Sequence, residues 1–147
     1  MNAQSNSKQG FTIIEVILVL AIAALIFLMI FIALPALQRS QRDESRKQDA
    51  GSVASAVSSY RGNARGAAPT AASQVTAYIG DLNQYDTSSV ALQSGTGGTL
   101  TGDNILVNTS AKCNDDGTIT TGTSRQATVR VQLEAGGGTP IPFCQDA

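Results

Sequence analysis

From Val16 to Gln38 the chain runs 23 residues without a charged side chain, and between Phe11 and Leu37 the one ionisable group is Glu15. Nothing else in the 147 residues constrains the fold as strongly. A helix rises about 1.5 Å per residue, so this run covers more than the roughly 30 Å of hydrocarbon in a bilayer. Two ordinary readings are a membrane anchor and a secretory signal. A signal has an apolar core of about 7 to 15 residues closed by a small-x-small cleavage site. Ala21-Ile22-Ala23 offers that pattern, but Leu25 through Ile30 continue the apolar run past it, so cleavage there is not expected.

The residues before the run narrow the choice. Met1 to Gly10 is short and polar, carries Lys8, and ends in a glycine directly against Phe11. The segment Gly10-Phe11-Thr12-Ile13-Ile14-Glu15-Val16 resembles the processing site of the type IV pilin and type II pseudopilin family, with a short, class III-type leader. The resemblance implies that prepilin peptidase cuts between Gly10 and Phe11 and that the new amino terminus at Phe11 is N-methylated. It implies further that Phe11, Thr12 and Glu15 act in filament assembly. Glycine has no Cβ, so a protease can approach the scissile backbone closely. An unpaired acid inside a bilayer costs about 2.5 to 3.5 kcal/mol on insertion scales. Glu15 therefore needs a proton or a cation. After cleavage the amine of Phe11 lies four residues upstream on the same helix face, and the family resemblance makes the neighbouring subunit's amine the usual partner. The alternative is a glutamate that merely reaches the headgroups. Pro35 removes one helical hydrogen bond late in the run, so a helix kink or local loosening is expected there.

Composition removes other function classes. The formal charge is -1 with 14% charged residues, which gives no basic field for nucleic acid, and no nucleic-acid partner is expected. Histidine is absent and the two cysteines are far apart, so neither a catalytic metal site nor the commonest general base is at hand. The expectation is no enzyme, no cofactor and no metal. Asn114-Asp115-Asp116-Gly117 invites a calcium reading, but its ligands are few, and Asp-Gly more often marks a hairpin turn.

Beyond Gln38 the charges return in mixed sign: Arg39, Arg42, Asp43, Glu44, Arg46, Lys47 and Asp49. This run reads as a solvated helix face with Arg39–Asp43 and Asp43–Lys47 pairs at i,i+4, although in a polymer it can also set register. Ala50, Val53, Ala54, Val57 and Tyr60 then recur at helical spacing. One helix from about Phe11 to Arg61 is expected, ending near Gly62 and Gly66. Pro69 and Thr70 start a second helix carrying Ala72, Val75, Tyr78, Ile79 and Leu82, and residues 86–102 read as turn and loop. Short strands are expected at Asn104–Thr109, Thr118–Thr121 and Gln126–Glu134, the last alternating clearly. That alternation predicts an antiparallel sheet with one solvated face and the other resting on Val53, Val57 and Tyr60. Gly95-Thr96-Gly97-Gly98 reads as a flexible surface loop. In an exported head Cys113 and Cys144 form a disulfide by default, the alternative being two unpaired buried thiols. The bridge would fasten Pro140-Ile141-Pro142-Phe143, which cannot be a central strand, and it resembles the disulfide-bounded region of many type IV pilins.

The expected architecture is α+β: a long N-terminal transmembrane and assembly helix whose C-terminal half packs on a small antiparallel sheet, the pilin fold. The expected divisions are a cleaved leader (1–10), a transmembrane and filament-core helix (11–37) and a globular head (38–147). The expected function is a structural subunit of a type IV pilus filament. The alternatives are a pseudopilin of a type II secretion or competence system and a membrane-tethered binding module. Implied by the resemblance are a homo-oligomeric helical filament, the assembly platform, minor pilins, and residence in the cytoplasmic membrane before extracellular assembly.

Overall fold

The computed structural model describes residues 10–135 and 139–147; residues 1–9, expected to be leader, and residues 136–138 lie outside the described residues. The chain divides into two units, Met1–Leu37 and Gln38–Ala147. Helix α1 (Ile13–Asn63) contributes to both.

In the first unit α1 is long and apolar enough to cross a membrane. Its backbone polar groups bond within the helix, the condition for stability in hydrocarbon. The helix starts at Ile13 rather than Phe11, because Thr12 takes the N-cap position. The Thr12 amide and hydroxyl both donate to Glu15 Oε2, at 2.9 and 2.7 Å. The Glu15 amide points back at Thr12 Oγ1 at 3.4 Å, completing a capping box. Pro35 lies inside the helix, whose assignment is unbroken across it.

In the second unit the helix ends at Asn63, two residues later than expected, in a left-handed stop. Arg65 and Gly66 have φ of 56° and 84°, and the Gly66 amide returns to the Arg61 carbonyl at 2.7 Å, closing the helix in Schellman fashion. Helix α2 covers only Ala72–Thr76, short of the expected Leu82. Its N-terminal amides at Thr70 and Ala71 donate to Gln74 Oε1. Past Thr76 the chain tightens into i,i+3 turns, and the amides of residues 83–85 are captured by Asp49 instead of continuing a helix.

The strands are β1 (Val90–Ser94), β2 (Ile105–Thr109), β3 (Ala111–Cys113), β4 (Ile119–Thr121), β5 (Ala127–Leu133) and β6 (Ile141–Asp146). Four of them form one sheet in the order β1-β2-β5-β6, and β3 pairs with β4 in a separate hairpin. The sheet is rich in antiparallel pairs but not wholly antiparallel, since β1 runs parallel to β2. The long return through residues 95–104, with Gly95 and Gly98 at positive φ, carries the chain back to the start of its neighbour. Strand β1 falls where turn and loop were expected, and β3 where no element was assigned. Each is short and set among Ser, Thr and Gly, and each obtains its regularity from a partner rather than from its own pattern. Pro142 sits in β6, an edge strand bonded to β5 alone within the sheet, the position where a missing amide is tolerated.

The core joins Ala50, Val53 and Val57 of α1 to Val107, Val129 and Val131 of the sheet. Tyr60 is only half-buried and lies outside it; its ring meets Tyr78 edge-on at 6.2 Å. The other face of the sheet is not simply solvated. Leu106, Asn108 and Thr128 are fully or almost fully buried on it. The glycine loop accounts for part of this cover: Asn108 Nδ2 donates to the carbonyls of Gly95 and Gly97, both at 2.8 Å. A Cβ on Gly98 would come within 3.2 Å of Leu106 Cδ1. The loop expected to be a free surface element is thus held down by a buried asparagine.

Candidate functional site

The first site is the start of the apolar helix. Gly10 is exposed and, among the described residues, nothing lies within 4 Å of where a Cβ would stand, so those residues leave the bond to Phe11 open to approach. Phe11 is 91% exposed. The carboxylate of Glu15, four residues on, uses Oε2 for Thr12, while Oε1 has no partner among the described residues. The sequence brings these groups together by local spacing alone, and the structure keeps them on one turn. Large apolar side chains from Ile13 to Leu37 are exposed along the helix, a surface that water does not stabilise.

The second arrangement, which the sequence reading missed, lies where the charge run meets the head. Arg46 is 8% exposed and Asp49 is fully buried, while Arg42 and Glu44 stay exposed, so one side of this stretch is covered rather than solvated. Asp49 accepts from the amides of Asn83, Gln84 and Tyr85 and from Asn83 Nδ2, at 2.7 to 3.1 Å. Asp43 accepts from the amides of Glu134 and Ala135, at 2.7 and 3.1 Å. Arg46 donates to the Gln132 carbonyl at 3.0 Å and pairs with Glu134 at 3.1 Å, and Arg42 adds a second contact to Glu134 at 2.6 Å. The Arg42 hydrogen bond holds the Glu134 carboxyl below the usual carboxylate range. Lys47 pairs with Glu44 at i,i+3, at 4.0 Å, instead of with Asp43. A signal for this was present. Arg42, Arg46 and Asp49 precede Val53 and Val57 at spacings of three and four, so the buried stripe extends backwards into the charges.

Cys113 and Cys144 are joined in a disulfide with Cα atoms 5.7 Å apart. It ties hairpin β3–β4 to edge strand β6, and Asp146 reinforces the link by accepting from the Cys113 amide at 2.9 Å. Asn114 to Gly117 form the hairpin turn. The Gly117 amide returns to the Asn114 carbonyl at 3.1 Å, and Asp116 Oδ1 caps Thr118. Among the described residues no group of three His, Cys, Asp or Glu side chains is placed to hold a metal ion.

Residues 5–31 match the prokaryotic N-terminal methylation motif. The match spans the end of the leader, the Gly10–Phe11 bond, the capping box and most of the apolar run. The chain thus carries the N terminus of a processed, N-methylated class of membrane-anchored precursor. Within that class the motif supports a type IV pilin- or pseudopilin-like prepilin. Neither the curated proteins nor the solved structures compared with it gave a match. The motif points to a structural subunit rather than an enzyme, and it implies processing by prepilin peptidase.

Proposed function

We propose that the chain is a pilin, cleaved between Gly10 and Phe11, methylated at Phe11 and polymerised through residues 11–37 into an extracellular type IV pilus filament. The observation that carries this reading is the methylation motif at residues 5–31, whose single acid is held by its own first turn with one oxygen left over. In a filament that oxygen would receive the Phe11 amine of the next subunit. The exposed apolar helix would exchange lipid for neighbouring helices, and residues 38–147 would form the outer surface. Before assembly the same helix anchors the precursor in the cytoplasmic membrane; the assembly platform and minor pilins would then take up the processed subunit.

An anchor and an assembly subunit make opposite demands on Glu15. For an anchor, Glu15→Val removes an insertion cost and leaves membrane retention equal or better. For a subunit, the incoming amine enters an apolar core unpaired, a loss of about 3 to 5 kcal/mol for a desolvated pair. The expected result is a variant that is membrane-bound and cleaved after Gly10 yet absent from sheared surface filaments, read by immunoblot of both fractions. Wild-type filament yield from the variant would reduce the segment to an anchor.

A further inference from the structure

Among the described residues of 38–147, two large apolar side chains are exposed, Tyr78 at 44% and Ile141 at 51%. Each stands beside unpaired charge, and the two signs are opposite. Ile141 lies in a groove floored by Leu133, Pro142 and Phe143, with Lys47 on one wall and the Asn114–Gly117 turn on the other. On that turn Asp115 is exposed and its carboxylate has no partner among the described residues. The wall cation, Lys47, is already paired with Glu44. The free charge of the groove is therefore negative.

Tyr78 stands at the C-terminal end of α1. Its hydroxyl accepts from Asn63 Nδ2 at 3.2 Å, and its ring meets that of Tyr60. Arg61 donates to the carbonyls of Ala147 and Arg125, which brings the exposed Arg125 to the same end. Arg65 is exposed, has no partner among the described residues, and occupies the left-handed position of the helix stop at φ 56°. Glycine takes that conformation at no steric cost. This end is an aromatic knob with two exposed guanidinium groups, Arg65 and Arg125, the chemistry most enriched at binding hot spots.

We infer that the Ile141 groove of one copy receives the Tyr78–Arg65 knob of a second copy. Arg65 would meet Asp115, and the tyrosine would cover the apolar floor. Groove and knob are different patches of one unit. From Lys47 to Arg61 they are separated by 14 residues, about 20 Å along α1. Pairing them leaves a free groove on one copy and a free knob on the other, a heterologous contact that continues as an open polymer when its rotation does not close. The inference rests on the polymer reading above and adds the head surfaces that set register.

The test uses the full-length protein in its own membrane. Ile141 is replaced by the photo-crosslinking residue benzoylphenylalanine, irradiated, and the adduct mapped by mass spectrometry. The expected product is a dimer joined to a peptide containing residues 60–66, 76–80 or 125. No dimer, or adducts mapping elsewhere, overturns the inference. Charge reversal supplies the second arm. Asp115→Arg and Arg65→Glu should each lower dimer and filament yield on the order of fivefold or more, since like charges then face each other. The combined variant should return to within about twofold of wild type. Singles at wild-type yield, or a double worse than either single, count against it. Mapped dimers without any filament would instead leave this interface standing and remove the pilus assignment.

Discussion

The two stretches of helix α1 handle charge in opposite ways. From Ile13 to Leu37 there is one acid, and the contacts that hold it come from the residue three positions before it. From Gln38 to Asp49 there are seven charged side chains, and several of the strongest contacts span 34 to 92 positions. A segment destined for hydrocarbon has to settle its polar groups locally, because no solvent will do it. A segment against a thin core can use charge as mortar. The head core is built mainly from valine and alanine, whose burial stabilises less per residue than leucine or phenylalanine. Asp43, Arg46 and Asp49 add fixed hydrogen bonds from the helix to the end of β5 with the residues just after it and to the separate loop at residues 83–85.

If the head depends on such cross-links, the largest effect should follow from cutting the covalent one. Replacing Cys113 and Cys144 together by serine opens a loop with a sequence separation of 31, a loss of about 3.5 kcal/mol on the chain-entropy model. Thermal unfolding of the detergent-solubilised protein should shift down by many degrees, with the signal of the apolar helix unchanged. An unchanged midpoint would mean that the hairpin holds to β6 without the bridge. Next comes Asp49→Ala, which strands three loop amides in a buried site. Each unsatisfied donor costs about 1 to 3 kcal/mol, partly relieved by entering water, so a net loss of about 3 kcal/mol is expected. Hydrogen exchange should rise first at Asn83, Gln84 and Tyr85. Protection equal to wild type there would show that Asp49 is not what fixes the loop.

The smallest effect is that of pH. The carboxyls of Glu134, Asp86 and Asp116 are all held below their ordinary values, by Arg42, by Ser88 and Thr87, and by Thr118 respectively. A lowered folded pKa means the stabilisation is complete above the ordinary carboxylate range of about 4 and is lost as pH falls through the folded value. These groups are largely exposed and solvent-screened, so the melting midpoint should hold from neutral pH to about 5 and decline modestly below 4. A Glu134→Gln variant should flatten part of that decline. A midpoint that rises on acidification would contradict the sign.

The same contrast explains what could be read in advance. Gly10, Phe11 and Glu15 form a local pattern, and their arrangement requires nothing beyond helix geometry. Strand β5 was legible because its alternation is long enough to carry a period. Strand β1 was not, because Val90 to Ser94 has no apolar-polar alternation and Val90 as its one β-branched residue, and its regularity comes from Ile105–Thr109. The roles of Asp43 and Asp49 were hidden for a related reason: a mixed-charge helix looks solvated until the loops that donate to it are placed. The cover over Leu106 and Asn108 was hidden likewise, since a glycine-rich loop gives no sign of what holds it down.

The central claim concerns the amino terminus and can be tested on the purified protein alone. Intact mass and N-terminal sequencing should give a chain that begins at Phe11 and carries one added methyl group. A chain that still begins at Met1, or one cut near Ala24, would contradict the assignment at its root.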